Sequence, residues 1–297
     1  MTLLEKHPAA PSPAAALAAA HGLTRSGARP PLPDYLRGLW GRRHFVWEFA
    51  RAKHEAQYAQ TRLGQLWQLA VPLLNASVYY LVFGLLMHAR KGVPDYIPFL
   101  VTGVFVFTFT QRSVLAGVRA VSGNRGLVRA VHFPRAALPV ALVLAQLRQL
   151  GLSMVVVAAL LVGGGAVPSV RWLEVVPALG LQLLFNTGLA LVFARLGSRT
   201  PDLAQLLPFV MRTWMYASGV MYSISRQAAD APAALRAVLS YNPAALWIDL
   251  ARAALIDSFP ADGLPPYAWA AATAWALAAA AAGLCFFWQG EEEYGRE

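Results

Sequence analysis

Arginine is the residue type in this sequence with the clearest capacity for chemistry. Four arginines and no carboxylate occupy the hydrophilic stretch from Arg119 to Pro139, between two strongly apolar runs. Three more arginines, Arg112, Arg148 and Arg212, stand inside apolar runs. A guanidinium there is costly unless it snorkels, binds backbone carbonyls or pairs with an anion, and its fork suits phosphate oxygens. We predict that these three bind a phosphate or pyrophosphate, with snorkelling and carbonyl binding left open as alternatives.

Motifs for catalysis are missing. The sequence has no Gly-x-x-x-x-Gly-Lys-Ser/Thr nucleotide loop, no His-Glu-x-x-His metal motif and no Gly-x-Ser-x-Gly nucleophile elbow. One cysteine, Cys285, excludes an internal disulfide and a cysteine-based metal cluster. We therefore predict that the chain is not an enzyme, holds no cofactor or metal, and depends on another protein for energy.

Composition indicates a membrane protein. Of the 297 residues, 57% are hydrophobic and 13% are charged, with a net charge of +10. Apolar runs divide the basic residues among short stretches, so no nucleic-acid-binding face is predicted. Six apolar windows are each long enough to cross a hydrocarbon core of about 30 Å as a helix. The predicted fold is all-α and polytopic, with six transmembrane helices at Leu66–Met87, Ile97–Val118, Leu138–Val162, Leu173–Ala194, Leu203–Ile224 and Pro266–Trp288.

The distribution of basic residues predicts the orientation. Six spans place both termini on one side. The segments on that side hold sixteen Arg and Lys residues, against six in the segments on the other side. Cytoplasmic loops carry the excess of positive charge. We therefore predict a multi-pass protein of the bacterial plasma (inner) membrane with both termini in the cytoplasm.

Four regions follow from composition along the chain. Residues 1–33 are rich in Ala and Pro and are predicted to be a disordered tail, with a signal peptide as the alternative. Residues 34–60 are predicted to hold an amphipathic helix in the headgroup layer, with an ordinary surface helix as the alternative. Residues 61–290 form the transmembrane domain and 291–297 an acidic cytoplasmic tail. The apolar side of the amphipathic helix comprises Leu36, Leu39, Trp40, Val46, Trp47 and Ala50.

A helical hairpin is predicted before the last span. Asn242-Pro243 is typical of a helix start, with an N-cap followed by proline at the first helical position. The helix Pro243–Leu255 would be about 20 Å long, too short to span a membrane. Together with a helix near Ala231–Ser240, it would form a short re-entrant hairpin in the outer leaflet. A small extracellular cap is the alternative.

The basic stretch itself is predicted to contain a short helix from Arg125 to Val131. Ser122-Gly123-Asn124 supplies a turn before this helix, and Pro134 ends it by forcing the preceding residue into an extended conformation. Helical spacing puts Leu127, Val128 and Val131 on one face and Arg125 and Arg129 on the other. The charge alone fits the topology rule, but the apolar face is not explained by it.

Four segments resemble the membrane subunit of type-2 ABC exporters, close to permeases that export polysaccharides, O-antigen and teichoic acids. They are TRLGQLWQLAVPLLNASVYYLVFG (Thr61–Gly84), VHFPRAALP (Val131–Pro139), PDLAQLLPFVMRTWMYASGVMYSIS (Pro201–Ser225) and YNPAALWIDLAR (Tyr241–Arg252). The resemblance extends from about residue 45 to the end. The sequence departs from the family just before the first span, where it has Gln57-Tyr58 and Thr61.

The resemblance implies a homodimer joined to two ATP-binding cassette subunits, which would bind ATP and Mg and drive a lipid-linked glycan across the plasma membrane. The three intramembrane arginines would hold the phosphate of that lipid. Aromatic residues in the spans, Tyr79, Tyr80, Trp214 and Tyr216, could offer faces to sugar rings, with ordinary packing as the alternative. The apolar face of the basic stretch would dock in a groove of the ATPase, through Arg125, Leu127, Val128, Arg129, Val131, His132, Phe133, Pro134 and Arg135.

Three other functions stay open from sequence. A drug or antibiotic exporter would have the same architecture but would need fewer phosphate-binding cations. A membrane-embedded glycosyltransferase would need acidic residues in an outer loop, and the first outer loop has only Asp95. A membrane anchor for a cytoplasmic partner would need neither phosphate-binding cations nor acidic residues in an outer loop. A neighbouring gene for a P-loop ATPase would favour export.

Overall fold

The computed structural model describes residues 29–56, 64, 66–86, 95–131, 133–227, 231–260 and 263–294, without the side chains of residues 68 and 69. All regular elements within these residues are helical, as predicted. The α-helices are α1 (Leu32–Gly41), α2 (Arg43–Ala56), α3 (Leu66–Tyr79), α4 (Tyr96–Val118), α5 (Arg125–Ala130), α6 (Ala137–Gly163), α7 (Val175–Arg199), α8 (Leu203–Tyr216), α9 (Ile224–Gln227), α10 (Ala233–Ser240), α11 (Pro243–Leu255) and α12 (Ala268–Gln289).

Four helices are long and apolar enough to cross a membrane. They are α4, α6, α7 with the 3₁₀ turn Val170–Glu174 before it, and α12, and they correspond to the second, third, fourth and sixth predicted windows. Helix α4 is the most enclosed of the four. It contacts α3, α6, α7, α8 and α11, so it lies at the centre of the bundle.

The first and fifth windows differ from the prediction of uninterrupted spans. In the first, α3 continues into a π-helical stretch at Tyr80–Leu86. In the fifth, α8 has 14 residues and ends at Tyr216, eight residues before the predicted end at Ile224. The chain then turns through Gly219, whose φ of 64° ends any right-handed helix. Hydropathy does not detect this break because the residues of the turn are themselves apolar.

Helices α7 and α12 approach each other so closely that only glycine fits at their contact. A Cβ atom on Gly188 would lie 2.2 Å from the carbonyl oxygen of Ala279, and one on Gly283 would lie 2.2 Å from the carbonyl oxygen of Gly188. Small residues allow such backbone contact between membrane helices, where dispersion contacts and weak hydrogen bonds stabilise association. This pair makes the most extensive helix–helix contact among the described residues.

The predicted amphipathic helix is two helices, α1 and α2, separated at Arg42. Gly41 directly precedes the break, and glycine costs about 1 kcal/mol in a helix interior relative to alanine. Val46 and Ala50 are buried against the alanines at one end of α6. Trp40 and Trp47 of the predicted apolar side are 72% and 53% exposed. The position of this side in a headgroup layer stays a prediction.

Residues at both ends of the chain are packed together. Arg29 lies 4.1 Å from the ring centroid of Trp288, whose indole N–H donates to the carbonyl oxygen of Pro30 at 2.9 Å. The prediction of a disordered tail through residue 33 is therefore wrong for 29–33, and its remainder lies outside the described residues.

The predicted hairpin is confirmed as a pair of helices, α10 and α11, and α11 has the predicted bounds. However, α11 is buried on nearly all sides against α4, α7 and α12. Arg252, one of the two charged residues of α11, is 1% exposed. Backbone carbonyl oxygens surround the guanidinium and accept its hydrogen bonds, which is the physical reason that it can be buried.

Candidate functional site

The basic stretch folds as predicted into a short helix, but its apolar face points inward. The helix is α5, preceded by a 3₁₀ turn at Ser122–Asn124. Val128 is 6% exposed and packs in a cluster with Tyr35, Leu191 and Phe287. Val128 is therefore covered by other residues of the chain, and docking of this stretch on an ATPase stays a prediction. Leu127 is partly buried in the same cluster, while Val131 is 45% exposed.

A basic cleft lies beside α5. It is lined by Arg125 and Arg129 of α5 and by Arg199 at the end of α7, together with Val121, Ser122, Ser198, Glu293 and Tyr294. Arg199 forms a two-oxygen ion pair with Glu293, with the shortest N–O distance 2.6 Å. This guanidinium lowers the pKa of the Glu293 carboxyl. The exposed surface of the basic stretch is thus cationic rather than apolar.

The end of the basic stretch is tied to both chain termini. The Phe133 ring lies 5.2 Å from that of Phe45 in α2. The Arg135 backbone N–H donates to Glu291 Oε1 at 3.0 Å, and its guanidinium donates to the Glu291 carbonyl oxygen. Pro134 is half-buried next to Gly38 of α1. His132 lies outside the described residues.

The three intramembrane arginines have different surroundings. Arg112 lines a cleft between α3, α4 and α6 with the amides of Gln146 and Gln149. Arg148 is exposed, and its guanidinium carbon lies 5.6 Å from the ring centroid of Trp47 in α2. Arg212 is exposed on α8. A single belt formed by all three remains a prediction.

The charge of Arg148 reaches α2. Burial, and secondly the charge of Arg148, lower the pKa of the His54 imidazole near the end of that helix. Together with the Trp47 contact, this places the Arg148 guanidinium on the α2 side of α6.

The predicted sugar-binding aromatics divide into two kinds. Trp214 is engaged in packing, since its indole N–H donates to Asn242 Oδ1 at 2.8 Å and its ring meets Phe107 edge-on. Tyr80 lies 6.2 Å from the Tyr96 ring. Tyr79 and Tyr80 are both half-buried, and Tyr216, which is 46% exposed, is the most accessible of the four.

Sequence reasoning missed three polar residues that organise the ends of the bundle. Asn242 was predicted only as a helix cap, and Arg252 and Glu291 only as surface charges. Each is a hydrogen-bonding centre in the structure. The sequence carries a signal for Arg252, because Arg252 and Asp249 are the sole charges in a 13-residue apolar helix, whereas Glu291 stands in a run of three glutamates.

Comparisons with known proteins agree with this architecture. The sequence profile described as ABC-2 type transporter matches residues 46–256. An O-antigen export system permease protein, RfbA of Klebsiella pneumoniae, is 28% identical over 65% of this chain and 73% of that protein. RfbA of Myxococcus xanthus is 26% identical over 70% of this chain and 78% of that protein. The polysialic acid transport protein KpsM of Escherichia coli is 22% identical over 70% of this chain and 80% of that protein.

The matched region runs from α2 to the end of α11 and covers more than half of the chain. It includes the basic stretch, the cleft beside Arg112 and the buried helix before the last apolar helix, and all of the basic cleft except Glu293 and Tyr294. The chain belongs to the ABC-2 type transporter family.

Proposed function

We propose that this chain is the membrane permease subunit of an ATP-driven exporter of a lipid-linked polysaccharide. The observation that carries the proposal is the family match over residues 46–256, with relatives named for export of O-antigen and polysialic acid. The absence of a nucleotide-binding loop from the sequence fits a transport subunit whose ATP and Mg are bound by a separate ATPase. Two copies of each subunit would form the exporter.

A gene deletion tests this function. Cells without this chain should lose the surface polysaccharide and accumulate its lipid-linked form inside, and the intact gene should restore export. Loss of drug resistance with normal surface polysaccharide would instead favour a drug exporter. Membrane vesicles containing the chain and its partner ATPase should move the lipid-linked glycan only with ATP.

The proposed topology has six crossings, with both termini in the cytoplasm of the bacterial inner membrane. The four long helices supply four crossings. The fifth is α3 with its π-helical continuation, and the sixth is α8 together with the turn and the short helix α9 that follow it, since α8 alone is too short to span. Labelling of single cysteines in a Cys285→Ala chain tests this. An impermeant maleimide should label Arg236→Cys on α10 in intact cells, and Gly126→Cys on α5 only after permeabilisation.

The basic stretch is proposed as the contact with the ATPase. Arg125, Arg129 and Arg199 form a cationic cleft, so the complementary surface should be acidic. Charge reversal at Arg125 and Arg129 together should abolish co-purification with the ATPase. Arg236→Glu is the matched control, since this exposed arginine lies on α10. Unchanged co-purification of the double variant would contradict this contact.

The substrate phosphate is proposed to meet Arg112, Arg148 and Arg212. Exposure of Arg148 and Arg212 leaves their guanidinium groups accessible, and the Arg112 cleft supplies further polar groups. Replacing Arg148 or Arg212 by Gln should abolish stimulation of ATP hydrolysis by the lipid-linked substrate while assembly with the ATPase persists. Full stimulation in both variants would exclude the site.

A further inference from the structure

The turn that ends α8 carries buried backbone carbonyls without helical partners. Ser218 is 1% exposed, Val220 is fully buried and Met221 is 1% exposed. A buried carbonyl that accepts no hydrogen bond is costly, and more so in a membrane, where water cannot compensate. The turn can exist only where side chains from other elements donate to it.

Arg252 of α11 supplies the largest share of these donors. Its guanidinium donates to the carbonyl oxygens of Gly219 at 3.0 Å and Val220 at 2.8 Å. It also donates to the carbonyl oxygen of Phe99 in α4 at 3.1 Å and to Asp249 at 3.1 Å. The guanidinium carbon lies 3.3 Å from the Phe99 ring centroid. One buried side chain therefore joins three parts of the chain.

The site is shaped around this guanidinium. A Cβ atom on Gly103 of α4 would lie 2.6 Å from Arg252 Nη2 and 3.0 Å from the Val220 carbonyl oxygen. Gly219 reaches its φ of 64° at no steric cost, since it has no side chain. Both glycines let the backbone approach the guanidinium closely, and a lysine could not satisfy the same set of acceptors.

Two other side chains donate to two further carbonyls of the turn, those of Ala217 and Met221. Asn242 Nδ2 donates to the Ala217 carbonyl oxygen at 3.2 Å and contacts Ser218 Oγ at 3.1 Å. The Tyr96 hydroxyl of α4 donates to the Met221 carbonyl oxygen at 2.8 Å. Separation of α11 from this turn, or of either from the start of α4, would leave a buried charge and several carbonyls unpaired.

We propose that the turn 217–221, helix α11 and the first two turns of α4 move as one body during transport, with Arg252 and Asn242 as the positioning residues. The proposal rests on the proposed export function. Any opening at this end of the bundle then occurs at surfaces outside this body, such as the exposed face of α8. Asn242 and Arg252 both belong to the family-like segment Tyr241–Arg252. The proposed role of that segment is therefore to hold the turn 217–221 and the start of α4 together.

The first test asks whether the body can be locked without harm. Ile224 and Ala245 form a small buried cluster between the end of the turn and α11. In a Cys285→Ala chain, the pair Ile224→Cys and Ala245→Cys is joined by oxidation to a disulfide or by a short bis-methanethiosulfonate crosslinker. Export by the full complex should stay within about two-fold of the parent level after crosslinking. A loss of export that a reducing agent restores would overturn the proposal.

The second test needs no export and separates this proposal from the proposed function. Val220→Cys, in the same Cys285→Ala chain, reports on the turn, and maleimide should label it slowly because this position is fully buried. Adding Arg252→Lys should raise the labelling rate at least tenfold. Arg226→Lys, at an exposed arginine of α9, is the control and should not change the rate. A rate unaffected by Arg252→Lys would overturn the role of Arg252, whatever the transported substrate is.

Discussion

The Tyr35 hydroxyl donates a hydrogen bond to Glu291 Oε2 at 2.8 Å across 256 residues of sequence, and both side chains are buried. The same hydroxyl accepts the Ala136 N–H at 3.1 Å, and the other carboxylate oxygen accepts the Arg135 N–H. The N-terminal helix, the end of the basic stretch and the residues after α12 thus meet at one pair. A force applied to the basic stretch reaches both terminal segments through it.

Loss of the Tyr35 hydroxyl should destabilise the chain. Tyr35→Phe leaves the buried Glu291 carboxylate and the Ala136 N–H each short of a partner, which costs about 1–3 kcal/mol. The melting temperature of the detergent-purified chain measures this. Tyr267→Phe is the matched control, because Tyr267 is 85% exposed and should melt as the parent does. Equal melting of all three proteins would show that the pair contributes nothing.

The contributions of Glu291 and Glu293 to folding stability should change with pH in opposite directions. Burial raises the pKa of Glu291 in spite of the Arg135 and Tyr35 donors, so the folded state holds its proton more tightly than the unfolded state. The contribution of Glu291 to folding stability is therefore complete at pH values below the ordinary glutamate pKa. It is lost as the pH rises through the pKa of this group in the folded state. The parent should lose stability relative to Glu291→Gln as pH rises through that window.

Glu293 is the internal control for that experiment. Because Arg199 lowers its pKa, its contribution is present above the ordinary glutamate pKa and is lost as pH falls. The parent should therefore lose stability relative to Glu293→Gln in acid, and only slightly, since solvent screens this half-exposed pair. Melting temperatures across pH 4–8 measure both differences, and the same sign for both would refute the assignment.

The elements of this fold follow from local patterns, whereas its polar centres do not. Asn242-Pro243 predicts the start of α11 because capping is local, and the four long apolar helices follow from hydropathy. The end of α8 at Tyr216 depends on donors from Arg252 and Tyr96, which are distant in sequence. No window of sequence contains both a carbonyl and its partner, so this break was not predicted.

The same reasoning applies to the candidate site. An apolar face on a short basic helix predicts a docking surface, but it can equally be covered by the chain itself. Val128 is covered by α1, α7 and α12, whose approach depends on contacts such as Tyr35 to Glu291. The arginines were found correctly as unusual residues, but their neighbours, such as Trp47 for Arg148, are set by tertiary packing.

Because α5 packs with Val128 facing inward, substitutions at Val128 and Val131 should have different effects on the stability of the chain. Val128→Asp puts a charge in an apolar cluster and should lower the stability of the permease itself by at least about 2 kcal/mol. Val131→Asp, at a 45% exposed position, should leave melting unchanged. Melting of the chain purified without the ATPase measures both. A Val128→Asp protein that melts like the parent but fails to bind the ATPase would favour Val128 as a docking residue.

The contact between α7 and α12 should tolerate no side chain. Gly188→Ala places a methyl group 2.2 Å from the Ala279 carbonyl oxygen, so the helices must separate or shift. Overpacking of this kind typically costs about 1–3 kcal/mol, in spite of the better helix propensity of alanine. Gly180→Ala is the matched control on the same helix, since its added Cβ has nothing within 4 Å. The melting temperature should fall for Gly188→Ala and stay level or rise for Gly180→Ala, and an equal response would mean that this close contact does not hold the helices together.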